Sequence, residues 1–181
     1  MTLFRGTLRR LARRRMGIRL AAMGLAGALA ASIVGVEGAG AVTFAPMSAP
    51  EYQFLAMLNA DRQANGLPAV AADGSLSGLA RARSQQMLAS GVFGHYDAGG
   101  QLIFVQLLNG IGFPYLSAGE NLAENNYDLA ASLGVANTGL MNSPGHRANI
   151  LNPNYNEVGI GIAGRGPTGQ FYYTELFAQV P

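Results

Sequence analysis

The C-terminal quarter of the chain alternates between large and small residues, and this pattern limits the possible folds more than any other feature. Residues 158–163 have the sequence Val-Gly-Ile-Gly-Ile-Ala. A period of two predicts a strand. A strand face made only of glycine and alanine predicts that a helix or another backbone packs very close to it.

A second strand is predicted over residues 171–180, after a turn at 165–169. Both of its faces are largely apolar, which indicates that the sheet is covered on both sides. Apolar residues upstream recur at helical spacing. A first helix begins at a capping box formed by Ser48 and Glu51 and ends at Asn65. Further helices are predicted over 75–90, 102–108 and 128–141. Helices early and a hairpin late predict an α+β domain built in layers.

The predicted helix over 75–90 has apolar residues on one side and a polar side that we assign to solvent. The residues of this polar side are Arg81, Arg83, Gln85 and Gln86. Gly91 follows as the expected C-terminal cap of the helix.

Residues 1–41 have the three parts of a secretory signal peptide. Seven of the twelve arginines precede residue 20, residues 20–36 are almost wholly apolar, and residues 38–41 are Gly-Ala-Gly-Ala. We therefore predict export to the cell envelope, the periplasm or the medium, with cleavage after Ala41. A linker over 42–49 and a folded domain over 50–181 would follow. The alternative is an uncleaved membrane anchor, because the apolar run approaches spanning length.

The net charge of the predicted mature chain narrows the choice of binding partners. After cleavage the chain would carry five arginines and nine acidic residues, a net charge of −4. Such a body lacks the basic surface that nucleic acids require. We therefore expect no nucleic-acid partner, and contact with a membrane only if the leader stays attached.

The chain has no cysteine, so no disulfide can support the fold after export and the hydrophobic core alone must stabilise it.

Few side chains can carry chemistry, and two of them are the only histidines. His95 lies in a glycine-rich loop, and His146 follows a rigid Ser-Pro-Gly turn at the start of a short helical piece. The candidate carboxylates are those of Asp97, Glu120, Glu124 and Glu175. Two imidazoles and a carboxylate can bind zinc and leave a position for water. They can also form an acid–base set without metal.

Structural roles are open for the same residues. Glu120 in Gly-Glu-Asn could cap the start of a helix, and a lone histidine in a loop is often a surface residue. Glu175 alternates with Phe171, Tyr173 and Phe177, which predicts a buried strand face. A carboxylate there needs a partner or a cleft.

Four blocks of sequence, taken in order, resemble a known family. They are residues 55–62 together with Asn-Gly-Leu-Pro at 65–68, Phe-Gly-His at 93–95, Gly-Glu-Asn-Leu at 119–122, and Ser-Pro-Gly-His-Arg-Ala-Asn-Ile-Leu-Asn at 143–152. Over roughly 51–180 the chain is similar to the bacterial secreted branch of the CAP superfamily. The superfamily is named for cysteine-rich secretory proteins, antigens and pathogenesis-related proteins, and its module is also called the SCP domain.

The resemblance implies an α/β/α sandwich with a small antiparallel sheet between helical layers. It also implies a large cleft that holds two histidines and two acids, and His95, Glu120 and His146 match three of these four positions. In some relatives the histidine pair binds zinc or another divalent cation. The chain departs from the pattern in having no glutamate between His95 and the Gly-Glu-Asn block. One hypothesis is that Glu175 supplies the missing carboxylate.

The expected function is therefore that of a secreted binding module. Its cleft, with His95 and His146 as candidate metal ligands and Glu120 beside them, would hold a lipid or another cell-envelope component with an optional divalent cation. A metal-assisted hydrolase acting on peptides, in which Glu120 activates water, is the first alternative. A structural envelope protein is the second.

Overall fold

The computed structural model describes residues 45–164 and 169–181. The predicted signal peptide, the first residues of the predicted linker and most of the predicted turn at 165–169 lie outside these ranges. Within them the chain forms five helices and four strands, whose order is α1 (Ala49–Ala64), β1 (Ala71–Ala72), α2 (Gly74–Ser90), α3 (Ile103–Gly110), β2 (Ser117–Asn125), α4 (Leu129–Asn142), α5 (Pro144–Ile150), β3 (Glu157–Gly164) and β4 (Phe171–Gln179).

The four strands form one sheet in the order β1-β3-β4-β2. β4 pairs antiparallel with both β2 and β3, whereas the two-residue β1 pairs parallel with β3. The predicted antiparallel sheet is thus correct for the three long strands, and the complete sheet is mixed. β2 lies at the edge of the sheet opposite β1, and it carries the Gly-Glu-Asn block. The interpretation of Glu120 as a helix cap is wrong, because nine residue pairs join β2 to β4.

α2 packs directly on the small-residue face of β3, as the sequence predicts. A Cβ atom added to Gly159 would lie 2.0 Å from the carbonyl carbon of Leu76, and one added to Gly161 would lie 2.1 Å from that of Ala80. Real side chains do not approach a backbone so closely. Glycine at these two positions is therefore what allows the helix axis to lie so close to the sheet.

Helices cover both faces of the sheet, so the domain is an α/β/α sandwich. On one face α2 and α3 bury a cluster that includes Leu76, Phe104 and Leu176. On the other face α1, α4 and α5 bury a larger cluster, with members Phe54, Leu58, Leu133, Leu140, Ile150, Tyr173 and Phe177. Burial of these side chains on two faces stabilises the fold without a disulfide.

The ends of the helices follow local sequence signals. Ser48 and Glu51 form the predicted capping box at the start of α1, and Gly91 caps α2 in the left-handed conformation with φ of 69°. The predicted helices are present with ends within two residues of those expected. Among the described residues, no helix has both the length and the apolar character needed to cross a bilayer.

A buried arginine fixes the short helix α5. The Arg62 guanidinium donates to the carbonyl oxygens of Pro68, Ile150, Asn152 and Tyr155 at 2.7–3.3 Å. Ile150 is the last residue of α5, so Arg62 satisfies carbonyl groups that the end of a helix leaves without partners. The anchoring matters because α5 carries His146.

Candidate functional site

Two consecutive residues of the edge strand β2 organise the candidate site. Glu120 is paired with Leu176 and lies on the sheet face that α2 covers. Asn121 is paired with Glu175 and lies on the opposite face, next to α5. Because neighbouring residues of a strand point to opposite faces, each holds a different segment. One is the loop that carries His95, and the other is helix α5, which carries His146.

Glu120 orients the His95 ring. His95 Nδ1 lies 2.8 Å from Glu120 Oε2, with the carboxylate buried and the histidine side chain 35% exposed. An ionised carboxylate only accepts hydrogen bonds, so Nδ1 carries the proton and donates it. Nε2 is then the ring nitrogen that has a lone pair for a ligand.

Arg83 occupies the second oxygen of the same carboxylate. Its Nε lies 2.9 Å from Glu120 Oε1, in a salt bridge where both side chains are buried. The assignment of Arg83 to the solvent side of α2 is wrong, since the residue is only 1% exposed. A signal was present in the sequence: position 83 continues the apolar stripe of Leu76, Ala80 and Met87 at helical spacing.

On the other face of the sheet, Asn121 holds the helix that carries His146. Its Nδ2 donates to the backbone oxygen of His146 at 3.0 Å, and its Oδ1 accepts from Asn149 Nδ2 at 2.9 Å. Gly119 leaves space for this contact, because a Cβ atom there would lie 2.7 Å from Tyr155 Oη. The sequence Gly119-Glu120-Asn121 therefore combines a close approach with two side chains, of which Glu120 contacts the His95 loop and Asn121 contacts α5.

The structure brings His95, Glu120 and His146 together. The ring centroids of the two histidines are 6.4 Å apart, with an angle of 48° between the ring planes. Burial, and secondly the neighbouring His95, lower the pKa of His146 below its ordinary value of 6.5. The His146 ring is therefore neutral at neutral pH and can act as an acceptor or a metal ligand.

The remaining predicted acids do not join this group. Asp97 is exposed and accepts from the backbone of Gly99 and Gln101 and from Gln106 Nε2, so it stabilises its own loop. The hydrogen bond from Gln101, followed by the one from Gln106, lowers the Asp97 pKa. Glu124 is exposed further along β2. Within the described residues, no three or more side chains of His, Cys, Asp or Glu form a metal-type cluster.

Glu175 lies on the opposite face of the sheet from Glu120. The hypothesis that it completes the cleft is wrong, because its register partner is Asn121. Glu175 is fully buried, as the sequence predicts, and its Oε2 accepts from Asn121 Nδ2 at 2.9 Å, while Oε1 has no hydrogen-bond partner among the residues that the structure describes. Burial raises the pKa of Glu175 to about 8, and the charge of Asp61 adds to this.

An open groove of about 540 Å³ runs along α4, away from the two histidines. It is lined by small and apolar residues such as Ala131, Gly134 and Val135. None of its lining residues is charged. Neither histidine lines this groove, so it is separate from the candidate site.

The fold and the sequence agree on the family. The sequence model of the CAP family, described as the cysteine-rich secretory protein family, matches residues 55–177. The chain belongs to this family.

Individual relatives support the assignment. The Bacillus subtilis (strain 168) protein YkwD, described as uncharacterized, is 35% identical over 132 residues, which are 72% of this chain and 49% of the relative. An extracellular SCP-domain protein from Bacillus anthracis is 25% identical with a TM-score of 0.60, over 75% of this chain and 45% of that one. The chain thus spans about half the length of these two relatives. An outer surface protein from Borrelia burgdorferi shares the fold at 14% identity, with a TM-score of 0.65 over 76% of this chain and 97% of that one.

Proposed function

We propose that this chain is an exported binding module whose ligand, a lipid or another cell-envelope component, binds beside β2 together with a divalent cation held by His95 and His146. The observation that carries the proposal is the pair of imidazoles 6.4 Å apart, one of them oriented by a buried carboxylate. Val92, Phe93 and Tyr96 are exposed in the loop around His95. Exposed apolar side chains beside a polar site suit a ligand with both apolar and polar parts.

The residues present fit a borderline-soft cation such as zinc. Imidazole nitrogen is a preferred zinc ligand, and a carboxylate that fixes the ring through its other nitrogen is a common support. Glu120 supplies this support to His95. The lowered pKa of His146 keeps its ring in the neutral form that binds metal. When bound, the cation would supply a positive charge with positions open to water or to an anionic group of the ligand.

Binding is better supported than hydrolysis. Catalytic zinc sites generally have three protein ligands, and here two histidines are the candidates. Both oxygens of Glu120 are already engaged, one by Arg83 and one by His95. A carboxylate held in this way orients the His95 ring and is poorly placed to activate water as the hydrolase alternative requires.

Export is part of the proposal. The solved relatives include one described as extracellular and one described as an outer surface protein, and the N-terminal segment has the composition of a signal peptide. Sequencing the N-terminus of protein recovered from outside the cytoplasm tests this. Material that begins at Val42 would support cleavage, whereas a start before residue 30 would contradict it.

Zinc titration followed by calorimetry tests the cation site. We expect one zinc ion per chain, and at least tenfold weaker binding in a His95→Ala, His146→Ala double variant. An Asp97→Asn variant is the matched control, because Asp97 lies in the same loop but its carboxylate accepts from Gly99, Gln101 and Gln106 and from neither histidine. Equal zinc affinity in the wild type and the double variant would rule out the site.

The hydrolase alternative has its own measurement. Turnover of a broad peptide panel by the zinc-loaded protein would favour it, provided that Glu120→Gln lowers the rate without loss of zinc. A wild-type protein that binds zinc and turns over no peptide agrees with the binding module. If neither zinc nor envelope lipid binds, a structural role is favoured.

A further inference from the structure

Arg83 contacts the surroundings of His95 at two separate points. Its Nε donates to Glu120, which holds the histidine ring, and its Nη2 donates at 2.6 Å to the carbonyl oxygen of Gly94, the residue before His95. The third contact, from Nη1 to Gln86 Oε1 at 2.7 Å, lies within α2 and fixes the guanidinium itself. One planar group therefore holds both the carboxylate that contacts the His95 ring and the carbonyl group that precedes His95 in the chain.

The charge of Arg83 decides what kind of partner Glu120 is. A buried carboxylate is costly unless a positive charge compensates it. With Arg83 in place Glu120 is an ionised acceptor, and His95 must donate from Nδ1. Without Arg83 the Glu120 carboxylate loses the donor that holds its Oε1, and the carbonyl group of Gly94 loses its donor as well. The ring would then no longer face a fixed acceptor at Nδ1.

We propose that Arg83 is a positioning residue for His95, which fixes both the tautomer of the ring and the path of its loop so that Nε2 is presented to a ligand. This inference rests on the proposed function in one respect, namely that Nε2 is the nitrogen that binds the cation. The tautomer itself is a property of the protein without any metal and can be measured separately.

Arg81 provides a matched control on the same helix. It also pairs with a buried glutamate, since its Nε lies 2.8 Å from Glu51 Oε1. Its other contacts are the carbonyl oxygens of Ala45 and Pro46 at the start of the domain. Arg81→Met therefore removes another ion pair of α2 without touching the histidine loop.

The experiment is a long-range ¹H–¹⁵N NMR spectrum of the histidine rings, recorded without metal on the full protein and on its variants. In the wild type and in Arg81→Met we expect His95 to carry its proton on Nδ1. In Arg83→Met we expect a mixture of the two tautomers and zinc binding at least tenfold weaker, the range found when the group supporting a ligand is removed. An Arg83→Met variant with the wild-type tautomer and zinc affinity would overturn the proposal.

Two further variants separate folding from positioning. Arg83→Lys keeps the positive charge but lacks the planar fork that reaches two acceptors, so we expect the Nδ1 tautomer with weakened zinc binding. If Arg83→Met does not fold, the double variant Arg83→Met, Glu120→Gln removes both buried charges, and a retained Nδ1 preference there would refute the inference. A wild type that shows the Nδ1 tautomer and binds no zinc would refute the proposed function while supporting the role of Arg83.

Discussion

Replacing Glu175 by glutamine should change how the stability of the protein depends on pH. Burial of this carboxyl raises its pKa from an ordinary 4.5 to about 8. The folded chain then binds a proton that the unfolded chain releases between these two values. The contribution of Glu175 to wild-type stability is therefore fully present below pH 4.5, falls as pH rises to about 8, and is level above it. Glutamine cannot ionise, so the stability of the variant does not fall in this way as pH rises.

The expected size follows from the same two pKa values. Each unit of pKa difference corresponds to about 1.4 kcal/mol, so the contribution of Glu175 changes by about 5 kcal/mol across the window. The advantage of Glu175→Gln over the wild type should grow by about 1.4 kcal/mol per pH unit. Glutamine can still accept the hydrogen bond from Asn121. Its amide also brings donors to the side where Glu175 Oε1 has no partner.

Urea unfolding at unit steps from pH 4 to pH 9 measures the difference between the two proteins. Groups that titrate equally in both cancel in this difference. Glu157→Gln is the control. Burial and the charge of Asp73 raise the pKa of Glu157 as well, but this residue is only half-buried at the start of β3, so its total effect on stability should be smaller. A Glu175→Gln difference that is the same at pH 5 and pH 9 would show that the carboxyl does not titrate as a buried group.

Three other perturbations test the packing and the site. Gly161→Ala places a Cβ atom 2.1 Å from the backbone of Ala80 and should lower the free energy of unfolding by about 3 kcal/mol. Gly134→Ala is the control: its added atom meets nothing within 4 Å, so it should raise the free energy of unfolding by up to about 1 kcal/mol. Equal effects of these two substitutions on urea unfolding would contradict the close helix–sheet contact. Arg62→Met leaves four carbonyl groups without their donor and should cost about 3 kcal/mol; a loss below about 0.5 kcal/mol would show that water replaces the guanidinium. His146 should titrate by NMR with a midpoint below 6.5, because burial favours its neutral form. The folded chain then binds fewer protons than the unfolded one, so stability falls as pH drops below 6.5; a midpoint at or above 6.5 would contradict the burial of the ring.

Much of the fold could be predicted because the relevant signals are local. The period of two over 158–163 predicted β3, and its glycines predicted the close helix that α2 provides. Caps and glycines located the helix ends. β2 was not predicted as a strand because residues 117–125 contain no β-branched or aromatic side chain. Its pairing with β4 over nine residues decides its structure, and a pairing partner is not visible in a local pattern.

The candidate site could be predicted only in part, for the same reason. The sequence identified His95, Glu120 and His146, and it also indicated that Glu175 is buried. It placed Arg83 in solvent, because an isolated arginine on a helix usually lies at the surface. The buried acceptor that Arg83 pairs with belongs to a strand 37 residues away in sequence. Only the packing of α2 on the sheet brings Arg83 and Glu120 together, so the pair could not be predicted from local sequence.

The sequence by itself determined a covered sheet, the helices around it and two histidines in turn-rich segments, since hydrophobic period and turn chemistry are properties of neighbouring residues. The tertiary structure decided how the parts meet. Alternation along β2 requires that Glu120 and Asn121 point to opposite faces, but only the register with β4 and the placement of the helices show what each face contains. Glu120 consequently meets Arg83 and His95, while Asn121 meets Glu175 and the helix of His146.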